Sequence, residues 1–308
     1  MKKISIVTPC YNEEENIHEL YERIKLVMQD CPYNYEHIFI DNASTDNTAA
    51  IIRELISKDK RVKAIVNMRN FGHIRSPYYG LLQAKGDAVV ILASDLQDPP
   101  ERIKEFIQKW ECGFKVVIGV KTASQESGMF YFLRTLYYRV LRKLSDVDLI
   151  EHYTGFGLYD QKVIEILRQL NDPYPYFRGL IADIGFPIVR IEFIQPERKR
   201  GITKNNFYTL YDLAMLGLTG YTKIPLRLAA MLGFVAAAIS FLVGLVYLIY
   251  KLIFWANFSV GLAPAVIGLF FLGSVQMIFL GIIGEYIGAI YTQVLHRPLV
   301  IEKERINF

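Results

Sequence analysis

Along the first 120 residues, short β-branched runs alternate with stretches in which apolar side chains recur at three- and four-residue spacing. That alternation predicts strands and crossover helices in a doubly wound α/β domain with a mostly parallel sheet. Residues 3–8 read as the first strand, with further strands at 35–41, 62–66, 88–93 and 115–120. Ile17, Leu20, Tyr21, Ile24, Val27 and Met28 mark one face of a helix behind Glu13, Glu14 and Glu15, acids that suit a helix N-terminus. Helical spacing recurs at 49–57, 76–84 and 101–110, and Pro99 and Pro100 open the last of these, where missing N–H groups cost least. In such sheets ligands bind beyond the carboxyl ends of the strands.

Further along, the polar face thins out. Residues 129–144, MFYFLRTLYYRVLRKL, read equally well as a packed helix or as one lying on a bilayer surface. Residues 205–221 resemble them and run directly into two apolar stretches, 228–250 and 262–284, each close to the ~20 residues that span a bilayer. The expectation is a transmembrane hairpin.

Charge sharpens that division. The chain has 308 residues and a net charge of +4, yet Lys251 is the single charged side chain in the 57 positions from 228 to 284. Lys223 and Arg227 precede the hairpin and Arg297, Lys303 and Arg305 follow it, which puts both ends in the cytosol by the positive-inside rule. The expected divisions are a cytosolic domain at 1–204, a juxtamembrane segment at 205–225, the hairpin at 226–295 and a cytosolic tail at 296–308. Glycines within the hairpin, from Gly233 to Gly288, leave room for close helix approach and a homo-oligomer. An apolar share of 52% with modest net charge excludes disorder. Three cysteines without metal-site spacing favour a reducing compartment. The basic start meets Pro9 and three glutamates too early for a signal peptide.

Candidate chemistry gathers where strands should end. VTPCYNEEENI (7–17), IDNASTDNT (40–48) and LASDLQDPPE (92–101) each join acids to turn-forming residues just after an apolar run. The chain has no Gly-x-x-x-x-Gly-Lys-Ser/Thr loop and no Gly-x-Gly-x-x-Gly after the first strand, so kinase-like and dinucleotide-binding readings lack support. The five histidines show no metal-ligand spacing, and His73 is the one expected nearest substrate.

These three runs resemble family 2 glycosyltransferases of GT-A fold. The likeness continues through RNFGH (69–73), YFRGLIADIGF (176–186) and RKRGITK (198–204). With its two-helix tail the whole chain is similar to the polyprenyl-phosphate glycosyltransferases of bacterial membranes, a group that includes bactoprenol glucosyltransferases and is related to dolichol-phosphate mannose synthases. The resemblance implies an inverting enzyme of the bacterial inner membrane that moves one sugar from a nucleotide sugar, a UDP-hexose, to polyprenyl (undecaprenyl) phosphate. The expected partners are that donor, that acceptor and the bilayer, with no nucleic acid among them. It places Pro9, Tyr11, Glu13, Asp41, Arg69, Gly72, Ser94, Asp95 and Lys121 at the nucleotide sugar, and Asp95 with Gln97 on a Mg²⁺ or Mn²⁺ ion. Arg134, Arg198 and Lys204 are expected at the acceptor phosphate, with Asp95, Arg198 and Lys204 the catalytic set.

Two departures accompany the likeness. The family's metal motif has an acid where this chain has Ala93, and its Gly-Asp-Phe-Arg segment is here Thr154-Gly155-Phe156-Gly157. Asp98 or Asp46 can supply a replacement metal ligand, and Glu151 or Asp183 a replacement carboxylate. Two alternatives stay open: a GDP-mannose-dependent enzyme, and a catalytically silent membrane scaffold that binds a nucleotide sugar.

Overall fold

β1 (Lys3–Cys10) and β2 (Asn34–Asp41) are buried along almost their whole length, as continuous apolar strands are when helices cover both sheet faces. The computed structural model describes residues 2–122, 150, 153–196, 207–254 and 262–308. The helix expected at 129–144 lies outside them. β3 (Val62–Asn67) and β4 (Ala88–Ile91) complete a parallel group in the order β4-β1-β2-β3. Between these strands run α1 (Ile17–Gln29), α2 (Thr48–Lys58) and α3 (Gly72–Gln83). A 3-10 turn at Pro100–Arg102 then leads into α4 (Ile103–Glu111) and β5 (Val116–Lys121).

β6 (Tyr153–Asp160) pairs antiparallel with both β4 and β5, and β7 (Ile188–Phe193) runs parallel to β5 at the sheet's outer edge. α5 (Gln161–Leu170) and the short α6 (Phe177–Asp183) lie between these two strands in the chain. The sheet is therefore mixed, ordered β7-β5-β6-β4-β1-β2-β3 before a last strand joins β3. Alternate residues feed opposite cores: Ile4, Ile6, Ala88 and Val90 pack with α1 and α4, whereas Val7, Val89 and Ile91 pack with α3 and α5.

Three polar groups are buried within β2, Glu36 and His37 in its middle and Asp41 at its end. Glu36 receives hydrogen bonds from Lys3 Nζ at 2.5 Å and Ser5 Oγ at 2.6 Å, and Lys63 Nζ pairs with it at 2.9 Å. His37 shares a hydrogen bond between Nε2 and Thr8 Oγ1 at 2.9 Å, while its Nδ1 has no partner among the described residues.

The membrane part begins with α7 (Phe207–Tyr221), followed by α8 (Ile224–Ile253) and α9 (Leu262–Val294). At 1.5 Å per residue the last two measure about 45 and 50 Å, so both exceed a ~30 Å bilayer core. Phe234, Phe241, Leu269 and Phe270 are more than 70% exposed, a surface that suits lipid and would aggregate in water. Hydrogen bonds join this part to the domain. Tyr174 donates to Asp212 at 2.7 Å, Gln293 to Asp172 at 2.9 Å, and Tyr211 ties α7 to Glu285 of α9 at 2.8 Å.

The segment expected as a cytosolic tail contains a strand. β8 (Glu302–Ile306) pairs antiparallel with β3, Ala64 opposite Ile306 and Asn67 opposite Glu302. Its charges are used at the edge: Arg53 meets Glu304 at 2.6 Å, Tyr79 donates to Glu302 at 2.7 Å, and Arg305 donates to Gln83 at 2.8 Å. The chain thus leaves the domain through α7 and returns to its sheet as β8, so both ends of the hairpin lie on the domain's side.

Candidate active site

The loops after β1 and β2 are laced together. Asn12, held at φ +55°, donates its N–H to Ser44 Oγ at 2.9 Å and accepts from Thr45 N–H at 2.8 Å. The Glu13 N–H reaches Thr48 Oγ1 at 2.8 Å, and its carboxylate accepts from Asn16 at 2.6 Å. Asp41 is buried at the end of β2, where burial raises its pKa against the pull of hydrogen bonds from the Ser44 hydroxyl and N–H. Asp41 thereby holds the second loop in shape.

The β3–α3 turn is organised by asparagines. Asn42 donates to Asn70 Oδ1 and to the Gly72 carbonyl, and its own Oδ1 accepts from Asn67 and the Phe71 N–H. Gly72 sits at φ +85°, where a side chain would be strained. Arg69 is exposed and lies with its guanidinium 4.1 Å from the Phe71 ring centroid. α3 begins four residues earlier than its apolar spacing predicts and contains Pro77. Because Pro77 has no N–H, the His73 carbonyl lacks its helical partner.

β4 ends at Ile91, two residues short of the expected strand, because the chain then turns into the acidic loop. Asp95 Oδ1 accepts the Gln97 N–H at 3.1 Å, and Leu96 between them is held at φ +61°. Asp95 and Gln97 are half-buried, and Ser94, Leu96 and Asp98 are buried. Asp95 Oδ2 has no hydrogen-bond partner among the described residues. A carboxylate and an amide oxygen on one turn fit a hard divalent ion that takes its remaining ligands from phosphate and water. Asp98 Oδ2 accepts the Ala93 N–H at 3.0 Å. Burial pushes Asp98 up to about 6, opposed by the Ala93 N–H, assisted by the charge of Asp95 and opposed again by Lys121.

Beside this loop lies a cavity of about 180 Å³ bounded by Pro9, Ala93, Asp98, Gly155, Tyr176 and Arg178, among others. Both departures noted in the sequence, Ala93 and Gly155, border it. Gly155 has φ +107°, and a Cβ at Gly157 would stand 2.5 Å from the Val117 carbonyl oxygen, so glycine is built into β6 at both positions. The wall on α6 reaches toward the membrane: Tyr176 packs on Tyr221 of α7 at 5.8 Å between ring centroids.

The match to known proteins extends from one end of the described domain to the hairpin. Residues 5–168 match glycosyl transferase family 2, and residues 224–290 match the GtrB C-terminal hairpin. The chain belongs to glycosyl transferase family 2. Among its relatives, an uncharacterized glycosyltransferase, YkcC, of Bacillus subtilis is 39% identical over 96% of this chain and 92% of its own. The bactoprenol glucosyl transferase of Shigella phage SfV is 35% identical over 98% of both chains. A solved glucosyl-3-phosphoglycerate synthase from Mycobacterium tuberculosis, bound to Mn²⁺, UDP and glucosyl-3-phosphoglycerate, is 19% identical over 71% of this chain and 78% of its own, with a TM-score of 0.46.

In this family 2 glycosyltransferase, the residues singled out from sequence converge on one sheet edge. Pro9, Tyr11 and Glu13 follow or end β1, Asp41 ends β2, Arg69 and Gly72 follow β3, Ser94, Asp95 and Gln97 follow β4, and Lys121 ends β5. Arg134, Glu151, Arg198 and Lys204 lie outside the described residues. His73 lines the cavity, whereas Asp183 is exposed and does not. The sequence reading gave no role to Thr154, Tyr176, Phe177 or Arg178. Thr154 stood in the segment that departs from the family's Gly-Asp-Phe-Arg, and the other three in the YFRGLIADIGF run, which carries no chemistry of its own until α6 is placed beside β6.

Proposed function

We propose that this glycosyltransferase moves a single hexose from a nucleotide sugar, a UDP-hexose, to polyprenyl phosphate at the cytosolic face of a bacterial inner membrane. The full-length likeness to the bactoprenol glucosyl transferase of phage SfV carries this reading, since domain and hairpin are shared over 98% of both chains. The site supports it with a donor-binding edge beside a hairpin whose two ends lie on the domain's side. Lys223, Arg227, Arg297, Lys303 and Arg305 at those ends favour a cytosolic domain.

In the reaction an acceptor phosphate oxygen attacks the anomeric carbon with inversion, and the bond to the nucleoside diphosphate breaks with its electron pair on the leaving group. Asp95 and Gln97 would hold a Mg²⁺ or Mn²⁺ ion, which offsets the charge growing on that diphosphate. Lys121 stands at the same edge, and Arg134, Arg198 and Lys204 are assigned to the acceptor phosphate. A phosphate monoester with a second pKa of about 6 is already ionised near neutral pH, so the acceptor needs no carboxylate at Gly155 to remove a proton.

Incubating the full chain in bilayers with undecaprenyl phosphate, divalent metal and, in parallel, UDP-glucose, UDP-GlcNAc and GDP-mannose tests the reading. Glycolipid from one UDP-sugar is the expected result. Product from GDP-mannose alone moves the donor to the mannose class, and no product from any donor favours the silent scaffold that Ala93 and Gly155 suggest.

A further inference from the structure

Among the described residues lining the cavity, Asp98 is the single acid. It is 6% exposed, and its Oδ2 is committed to the Ala93 N–H at 3.0 Å. That bond fixes the carboxylate plane, and Oδ1 has no hydrogen-bond partner among the described residues. That oxygen is left open to the cavity, and the ligand that matches it is one that brings donors to it.

The surroundings select the chemistry. Tyr78, Phe156, Tyr176 and Phe177 supply aromatic walls, and Thr154 and Arg178 supply two further polar groups. Aromatic faces take the C–H side of a pyranose, and a carboxylate takes its hydroxyls. Asp98 disfavours a phosphate at its own end of the cavity, whereas Arg178 lines the other polar part. The metal ion is assigned to Asp95 and Gln97, neither of which is among the residues lining this cavity. The volume, about 180 Å³, leaves room for one sugar ring. Ala93 and Gly155, small where the family has acids, leave that space open.

We infer that this cavity receives the transferred hexose and that Asp98 is its specificity-determining residue, accepting hydroxyl hydrogens through Oδ1. The inference rests on the donor reading above and gives Asp98 a task other than the metal ligation left open by the sequence. A site built around a hydroxyl rejects an isomer that leaves the carboxylate unpaired far more strongly than an apolar pocket does.

The test uses the full chain in bilayers, wild type beside Asp98→Asn and, on the wall formed by β6, Thr154→Val. Calorimetry measures binding of UDP, UDP-glucose, UDP-galactose and Mn²⁺, and turnover is followed with both sugars. Expected for Asp98→Asn are UDP and Mn²⁺ affinities within twofold of wild type, turnover down about a hundredfold, and a loss of at least tenfold in discrimination between the two epimers. Thr154→Val shifts the same epimer ratio and keeps the inference testable if Asp98→Asn does not fold. Parallel losses of UDP and Mn²⁺ affinity would assign Asp98 to the metal, and an unchanged epimer ratio in both variants would remove the sugar contact; either overturns the inference. If wild type turns over neither sugar, the proposed function fails on its own, and the binding ratio of the two UDP-sugars still reads the cavity.

Discussion

At Gly155 and Gly157 the backbone decides what chemistry β6 can carry. With φ at +107°, an L side chain at 155 is strained by roughly 1–2 kcal/mol, and the 2.5 Å approach to Val117 leaves no room at 157. Gly155→Asp, which restores the acid of the related motif, is therefore expected to lower stability by about that amount without raising turnover. A melting curve beside a rate measurement checks it, and a tenfold gain in rate would mean that a missing base limits the enzyme. Asp95 presents the opposite case. In the proposed reading its free oxygen is the metal's carboxylate ligand, so Asp95→Asn should lose about a thousandfold in turnover and weaken Mn²⁺ binding while leaving the melting temperature unchanged. Metal affinity equal to wild type would move the ion to other residues.

Among the elements, β2 links the core to pH. Burial raises the Glu36 carboxyl, but hydrogen bonds from Lys3, Ser5 and Lys63 outweigh it and hold the group at about 2, below its ordinary 4.5. Its stabilisation, on the order of 3 kcal/mol, is complete above pH 4.5 and fades as pH falls toward 2. Burial holds His37 at about 3, below 6.5, so below pH 6.5 the unfolded chain takes a proton that the fold refuses. Stability should thus decline in two stages on acidification, first from about pH 6.5 and more steeply below 4.5. Denaturant midpoints read from the buried Trp110 check this, and Glu36→Gln should flatten the lower stage alone. α6 makes a packing prediction. A Cβ on Gly179 would meet the Tyr221 ring at 2.4 Å, so Gly179→Ala should cost about 1–3 kcal/mol and loosen α7 from the domain, seen as faster hydrogen exchange in α7. The parallel strands were legible because β1 to β5 are rich in apolar and β-branched residues and end in polar turns, and the turns where nucleotide-side residues were expected were legible with them. β6, β7 and β8 were not. β6 carries two glycines, which weaken a strand pattern, and β8 is KER-rich, as exposed edges often are. Without β6 and α6 side by side, the cavity and the place of Asp98 on it had no sequence signal.

For the whole molecule, the return of the chain to its own sheet is the main constraint. Stopping the chain after Pro298 should leave the hairpin able to insert but expose the edge of β3, with the domain's melting temperature lower by roughly 5–10 °C and fast hydrogen exchange at 62–67. Unchanged exchange there would make β8 dispensable. The closure also orders the birth of the protein. Asn307 bonds the carbonyl oxygens of Lys60 and Val62 across 247 and 245 residues of chain. At ~5–20 residues per second that separation corresponds to roughly ten to fifty seconds of synthesis. During that interval the newborn domain carries an unpaired strand, and both apolar helices leave the ribosome before its partner does. Completion of the sheet therefore follows emergence of the hairpin, and a chain whose hairpin holds β8 away from the domain keeps an open edge on which proteases and chaperones can act.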